Sequence, residues 1–255
     1  MIHPTAIIHP KAQMGFGCEV GPYCVIGEHV ALGENCKLHS HVVVDGHTKL
    51  GARNEIFPFV AIGTKTQDLK YKGGNPRLEI GDDNVFREGV TVHCGTNDGE
   101  ATVIGSHNLF AIQAHVAHDC IVGDYIIMSG FTGLAGHVVI DDYAIISGFS
   151  AVHQFCRVGK LSIIGGCSKI VQDVPPFMIV DGNPGETRTI NRIGLERAGL
   201  SDEAQTALRA AYKIIFREGL STLNALARVE TELPALPEVQ HLVQFIRASE
   251  RGICK

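Results

Sequence analysis

From Ile2 to Ile62 every sixth residue is apolar, through Ile8, Met14, Val20, Ile26, Leu32, Leu38, Val44, Leu50 and Ile56. The count resumes at Ile104 and runs unbroken through Phe110, Val116 and Val122 to Ile164 and Ile170. The residue after each of these is often Gly. The residue four after it is small or branched, as at Ala6, Cys18, Cys24, Val42, Ala114, Cys120 and Ser150. A sustained six-residue period is the mark of a β-helix, in which short strands stack coil on coil over one core. Three hexads make one coil of a triangular prism, so side chains eighteen residues apart become neighbours about 4.8 Å apart along the axis. The pattern predicts this prism over residues 1–185.

Two excursions interrupt the count. Residues 64–79 are polar and carry Gly73, Gly74 and Pro76, and residues 97–102 form a short turn-rich bulge. Loops that leave a rigid solenoid are expected to carry contacts or function. The repeat ends at Asp173–Pro176, and from about Thr189 the period becomes helical. Ser201, followed by Asp202 and Glu203, reads as the cap of a helix to about Glu218, with Gly219 as its stop. Ser221 caps a second helix to about Glu232, and Pro237 starts a third, ending near Gly252. Residues 186–255 are thus expected to form a small α-helical domain.

A net charge of −5 with no basic stripe argues against a general nucleic-acid binder. No apolar run is long enough for an integral membrane segment, and the repeat begins at once, without a signal-peptide pattern. Cys18, Cys24, Cys36, Cys120 and Cys156 all fall in the small inner slot and read as reduced core fillers. A cytoplasmic protein is expected.

The candidate chemistry lies where histidines crowd: His115, His118 and Asp119, then Gly136 and His137, then His153 and Gln154. Counting eighteens places His118 over Gly136 over Gln154, and Asp119 over His137 over Phe155. Any one of these histidines alone would more often be structural. Grouped with a carboxylate and a glycine on successive coils they favour a site. Histidine suits general-base work near neutral pH, and a glycine lets a backbone N–H approach a substrate oxygen closely. Strict strand alternation would send Asp119 away from His118; only a corner conformation turns both outward, and the pattern leaves that open.

At these residues the chain resembles the UDP-N-acetylglucosamine O-acyltransferase family. The matching stretches are QDLKY at 67–71, HVAHDC at 115–120, LAGHV at 134–138, AVHQFC at 151–156 and GGCS with VQDVPP at 165–176. The resemblance implies a left-handed parallel β-helix with a helical tail, assembled as a homotrimer with active sites between neighbouring subunits. It implies transfer of a 3-hydroxyacyl chain from acyl carrier protein to the 3-position of UDP-N-acetylglucosamine, the first step of lipid A biosynthesis, without a cofactor or metal. On this resemblance His118 is the general base, Asp119 supports it, and the Gly136 N–H holds the oxyanion. Gln67, Asp68 and Lys70 bind the acceptor and its phosphates. His115, His137, His153 and Gln154 bond the sugar, diphosphate and acyl group, and Asn191 and Arg197 lie near the nucleotide and carrier. Gly166 falls where the family sets acyl length, and its small size implies a longer chain such as 3-hydroxymyristoyl.

The chain departs from the family pattern at Ile193 and Ala198, and in reading HCGT at 93–96 and YKGGNPR at 71–77, which touches nucleotide and carrier contacts. Three rival readings compete with this one. The related N-acyltransferase normally has an extra domain before the repeats. A zinc hydratase on this fold would bind its metal with three histidines across a subunit boundary, to which His115 and His118 could contribute, and would leave QDLKY and the helical tail without a role. A pure scaffold predicts no polar cluster. The basic residues Arg188, Arg192, Arg197, Arg209, Lys213 and Arg217 are candidates to receive the acidic carrier, although a charged helix face is more often simply solvated.

Overall fold

The computed structural model describes residues 1–255. Strands of mostly two residues stack into three sheets of nine, eight and ten, the flat faces of a prism, in which every pairing is parallel except the last. The register follows the eighteen-residue step where the count is intact: Val25 pairs with Val43, His115 with Gly133, and Gly133 with Ala151. The hexad positions point inward because strand side chains alternate faces. Val44, Ile62, Val116, Leu134 and Ile164 are fully buried, as are the small-slot residues Cys24, Cys36, Cys120 and Cys156. All eight cysteines are free.

The excursions enter as insertions between neighbouring coils. Ala61 pairs with Thr91, a step of 30 residues, and Thr91 with His115, a step of 24. Strands Ala61–Thr64 and Arg77–Ile80 bound the first, so the segment outside the sheets is shorter than residues 64–79. Strand Ala101–Ile104 likewise takes Ala101 and Thr102 out of the second. Three asparagines in the small inner slot form a buried ladder alongside the insertions. Asn54 Oδ1 accepts the Asn84 N–H at 3.0 Å, Asn84 Oδ1 the Asn108 N–H at 2.9 Å, and Asn108 Oδ1 the Ile126 N–H at 2.6 Å. Each ladder rung satisfies a backbone donor that would otherwise be buried unpaired.

The helical period does not begin at Thr189. Strand Glu186–Ile190 folds back antiparallel on strand Met178–Asp181, extending the sheet beyond residue 185. Thr187 and Ile190 are buried and Glu186, Arg188 and Thr189 exposed, because the pairing skips Arg188 and so breaks the alternation after Thr187. Helix α1 then spans Arg192–Arg197, α2 Asp202–Phe216, α3 Thr222–Glu232 and α4 Pro237–Arg247. Ser201 and Ser221 cap α2 and α3 through their side chains. The apolar faces of the helices form a second core with Leu161, Phe177 and Met178 of the prism. Asp173 ties the C-terminal segment to the last coil, accepting from Arg157 N–H at 2.8 Å and the Ser249 hydroxyl at 2.7 Å. No helix is long and apolar enough to cross a membrane.

Candidate active site

At the corners of the prism, residues stacked eighteen apart adopt positive φ, and Asp119 (60°), His137 (61°) and Phe155 (65°) form one such column. A left-handed residue turns its side chain out of the strand alternation. Asp119 therefore joins His118 on the outer surface, the corner conformation that the sequence pattern left open. Aspartate tolerates this region better than most residues. The corner is further held by the Asp119 N–H, which donates to Thr102 Oγ1 at 2.8 Å.

His118 Nδ1 lies 2.7 Å from Asp119 Oδ2, and the other carboxylate oxygen accepts the Thr96 N–H at 3.0 Å. Gly95 sits beneath this carboxylate, where an added Cβ would come within 2.9 Å of Asp119 Oδ1. The second excursion is thereby tied to the corner, since Thr96 and Thr102, at its two ends, both grip Asp119. Because an ionised carboxylate only accepts, Nδ1 of His118 is the protonated nitrogen and Nε2 carries the lone pair. Nε2 faces the backbone of Gly136, where a Cβ would stand 2.6 Å away. His137 meets the His118 ring edge-on at 5.3 Å, and its Nε2 is 3.7 Å from Asp119 Oδ2. Phe155 stacks beneath His137 at 4.7 Å.

A groove of about 740 Å³ opens over this cluster. Gln67, Asp68, Leu69 and Lys70 wall one side, and His115, His118, Gly136 and Gln154 line the rest. The first excursion is set there by Thr66, whose hydroxyl pairs with Thr96 Oγ1 at 3.1 Å and accepts the Asp68 N–H at 3.1 Å. Asp68 in turn accepts the Lys70 N–H at 2.9 Å. His115 Nδ1 pairs with Thr91 Oγ1 at 2.8 Å, and burial pushes its pKa down. The groove also contains His93, which the hexad count does not mark. Burial, then the neighbouring His115 and His118, push its pKa down to about 4.

The structure gathers Gln67, Asp68, Lys70, His115, His118, Asp119, His137 and Gln154 around one groove or its rim. His153 stands apart, exposed beside Arg251 at 3.4 Å. Gly166 lies on a neighbouring corner, where a Cβ would meet only Gly148 O at 3.5 Å. Asn191 and Arg197 line a different and larger cleft of about 1270 Å³, with Tyr125, Tyr143, Lys160 and Lys213. Size does not make that cleft the reaction centre: its rim is cationic and it lacks an imidazole–carboxylate pair. Asn191 is buried there, accepting the Gly194 N–H at 3.0 Å and donating to Leu161 O at 2.8 Å, so its amide already caps α1. Among the basic candidates, Arg192, Arg197, Arg209 and Lys213 share this cleft. Arg188 pairs with Glu186 and Arg217 with Tyr212.

Side-chain donors of His118, Asp119 and His137 lie within 4.8 Å of one another. This group is two imidazoles and a carboxylate of one chain, whereas the zinc reading draws three histidines, with His115 and His118 among the candidates, from across a subunit boundary.

Residues 173–254 match the family described as Udp N-acetylglucosamine O-acyltransferase, Domain 2, and residues 11–46 match the bacterial transferase hexapeptide repeats. A curated acyl-(acyl-carrier-protein)–UDP-N-acetylglucosamine O-acyltransferase of Thermodesulfovibrio yellowstonii is 45% identical over 100% of this chain and 99% of its own. The crystal structure of the Bacteroides fragilis UDP-N-acetylglucosamine acyltransferase superposes with a TM-score of 0.97 at 43% identity, covering all of both chains. The structure of the Acinetobacter baumannii relative gives 0.96 at 47%, covering 100% of this chain and 99% of that one. The fold is accordingly the left-handed parallel β-helix with a small helical C-terminal region. With identity of this order over the full length, the chain is an acyltransferase and belongs to the UDP-N-acetylglucosamine O-acyltransferase family.

Proposed function

We propose that the chain transfers a 3-hydroxyacyl group from acyl carrier protein to the 3-hydroxyl of UDP-N-acetylglucosamine, as the first step of lipid A biosynthesis in the cytoplasm. One observation carries the reading: His118, fixed by Asp119 at 2.7 Å, turns its free nitrogen into the groove beside the Gly136 backbone. His118 Nε2 takes the proton of the sugar hydroxyl as its oxygen attacks the thioester carbonyl. The resulting oxyanion accepts the N–H of Gly136, a corner amide that makes no hydrogen bond within the chain. Collapse breaks the carbon–sulfur bond, the imidazolium returns its proton to the departing thiolate, and an ester and free carrier thiol result. Asp119 stabilises the transient imidazolium and holds the ring in its productive tautomer.

Gln67, Asp68 and Lys70 hold the acceptor, with Lys70 as a point charge for phosphate. His115, His137 and Gln154 bond the sugar and acyl group, and His153 the diphosphate. The cleft lined by Arg197 belongs to the same crevice, contributed by the next protomer of a homotrimer. Its cationic rim and the fully exposed Leu69 beside the groove support a partner surface there. Gly166 leaves space for a long chain such as 3-hydroxymyristoyl.

The test is a transfer assay of the purified protein with carrier thioesters of graded length and both UDP-N-acetylglucosamine and its 3-amino analogue. Ester formation with long 3-hydroxyacyl donors is expected. Failure of every thioester with both acceptors would sink the reading.

A further inference from the structure

His93 ends strand Thr91–His93, one coil below the strand that carries His115 and Val116. Ala117 and Ala135 line the same groove. The ring is 5% exposed and faces the groove beside the Gln67–Lys70 wall. Its Nδ1 is sealed and has no hydrogen-bond partner. The ring of His115 packs against it edge-on at 5.0 Å. A buried N–H without a partner is rarer and costlier than an unfilled lone pair. The proton of the neutral ring therefore sits on Nε2, the nitrogen turned to the groove, and Nδ1 keeps only its lone pair. A pKa near 4, set first by burial, keeps the ring neutral throughout the working pH range. The imidazole is thus a fixed, uncharged donor with nothing in the chain to donate to.

We propose that His93 is an acceptor-binding residue, its Nε2–H donating to a hydroxyl or acetamide oxygen of the sugar in the groove. This rests on the sugar-nucleotide reading above and adds to it a residue that recognises the sugar without taking part in proton transfer. It places a neutral donor near His118, where a second charged imidazole would oppose formation of the imidazolium.

The experiment measures UDP-N-acetylglucosamine binding by calorimetry and steady-state KM for both substrates in three variants: His93→Leu, His93→Gln and His93→Asn. Loss of one neutral hydrogen bond should weaken acceptor binding about tenfold in His93→Leu. The carrier KM should stay unchanged. Glutamine, whose amide nitrogen reaches the Nε2 position, should restore binding to within about threefold, and asparagine should not. Repeating the titration with UDP-glucose, which lacks the acetamide, assigns the oxygen. An equal tenfold loss with both ligands points to a hydroxyl, and a loss confined to the acetylated sugar points to the acetamide. Should His93→Leu fail to fold, the contrast between glutamine and asparagine decides alone. Glutamine and asparagine variants that bind the acceptor alike, or a loss shared equally by the carrier, would overturn the proposal. Absence of transfer by the unmodified protein would instead overturn the reading on which it rests.

Discussion

Gly136 lies flat against the ring of His118, so that a Cβ on Gly136 would stand 2.6 Å from Nε2 and closer still to Cε1. Gly136 is not among the residues at positive φ, and its backbone would accept an alanine. Gly136→Ala should therefore leave the fold intact and displace the imidazole. Since misplacement by about 1 Å can cost 100-fold, kcat is expected to fall by about that factor with little change in thermal midpoint. Kinetics alongside thermal unfolding checks this; unchanged turnover would show that the close approach has no catalytic weight.

Asp119→Asn keeps a residue at home in the left-handed region, and its amide oxygen can still accept the Thr96 N–H. The amide nitrogen then faces His118 Nδ1 and forces the proton to Nε2, which can no longer accept. Loss of about 100-fold or more in kcat is expected with an unaltered acceptor KM. A variant with wild-type kcat would remove the orienting role of the carboxylate.

In the proposed homotrimer, where two protomers share each crevice, the His118 and Arg197 halves are separable. His118→Ala and Arg197→Ala should each be nearly inactive, whereas trimers reassembled from a mixture contain crevices with both residues intact. Activity should rise well above the sum of the parents. Mixtures no better than that sum would place the complete site within one chain.

Burial lowers the pKa of His93, His115 and His241, the first to about 4. Unfolded, these rings bind protons near pH 6.5, so between pH 6.5 and 4 the unfolded chain holds more protons. Stability is then fully present above about 6.5 and is lost as pH falls through this window. The share of His93 is up to about 3 kcal/mol. Urea midpoints measured from pH 7 to 4.5 should decline, and His93→Gln should flatten the decline. An identical slope in that variant would contradict the assignment.

The parts of the molecule legible in its sequence are those that obey the hexad count. Inward aliphatics such as Val44 and Leu134 announce the coil, and the eighteen-residue step alone brings His118 to Gly136. The Asn54–Asn84–Asn108 ladder is hidden because asparagine fills the inner slot that elsewhere takes cysteine or valine, and because the insertions stretch its steps. His93 escapes for the same reason: it stands 24 residues before Ala117, not eighteen. The turn of Asp119 toward His118 comes from the positive φ that recurs at corners three residues after an inward aliphatic, a backbone feature that the apolar count alone does not display. Strand Glu186–Ile190 is hidden because its buried residues, Thr187 and Ile190, are three apart, a spacing that merges with the helical period that follows.

In the proposed reaction His118 takes the proton of the acceptor hydroxyl. The most direct test is the rate of acyl transfer by His118→Ala, with folding checked by circular dichroism and acceptor binding by calorimetry. Removal of a general base predicts a loss on the order of 1,000-fold in kcat, with fold and acceptor binding retained. Turnover within about tenfold of the unmodified protein would contradict that role for His118.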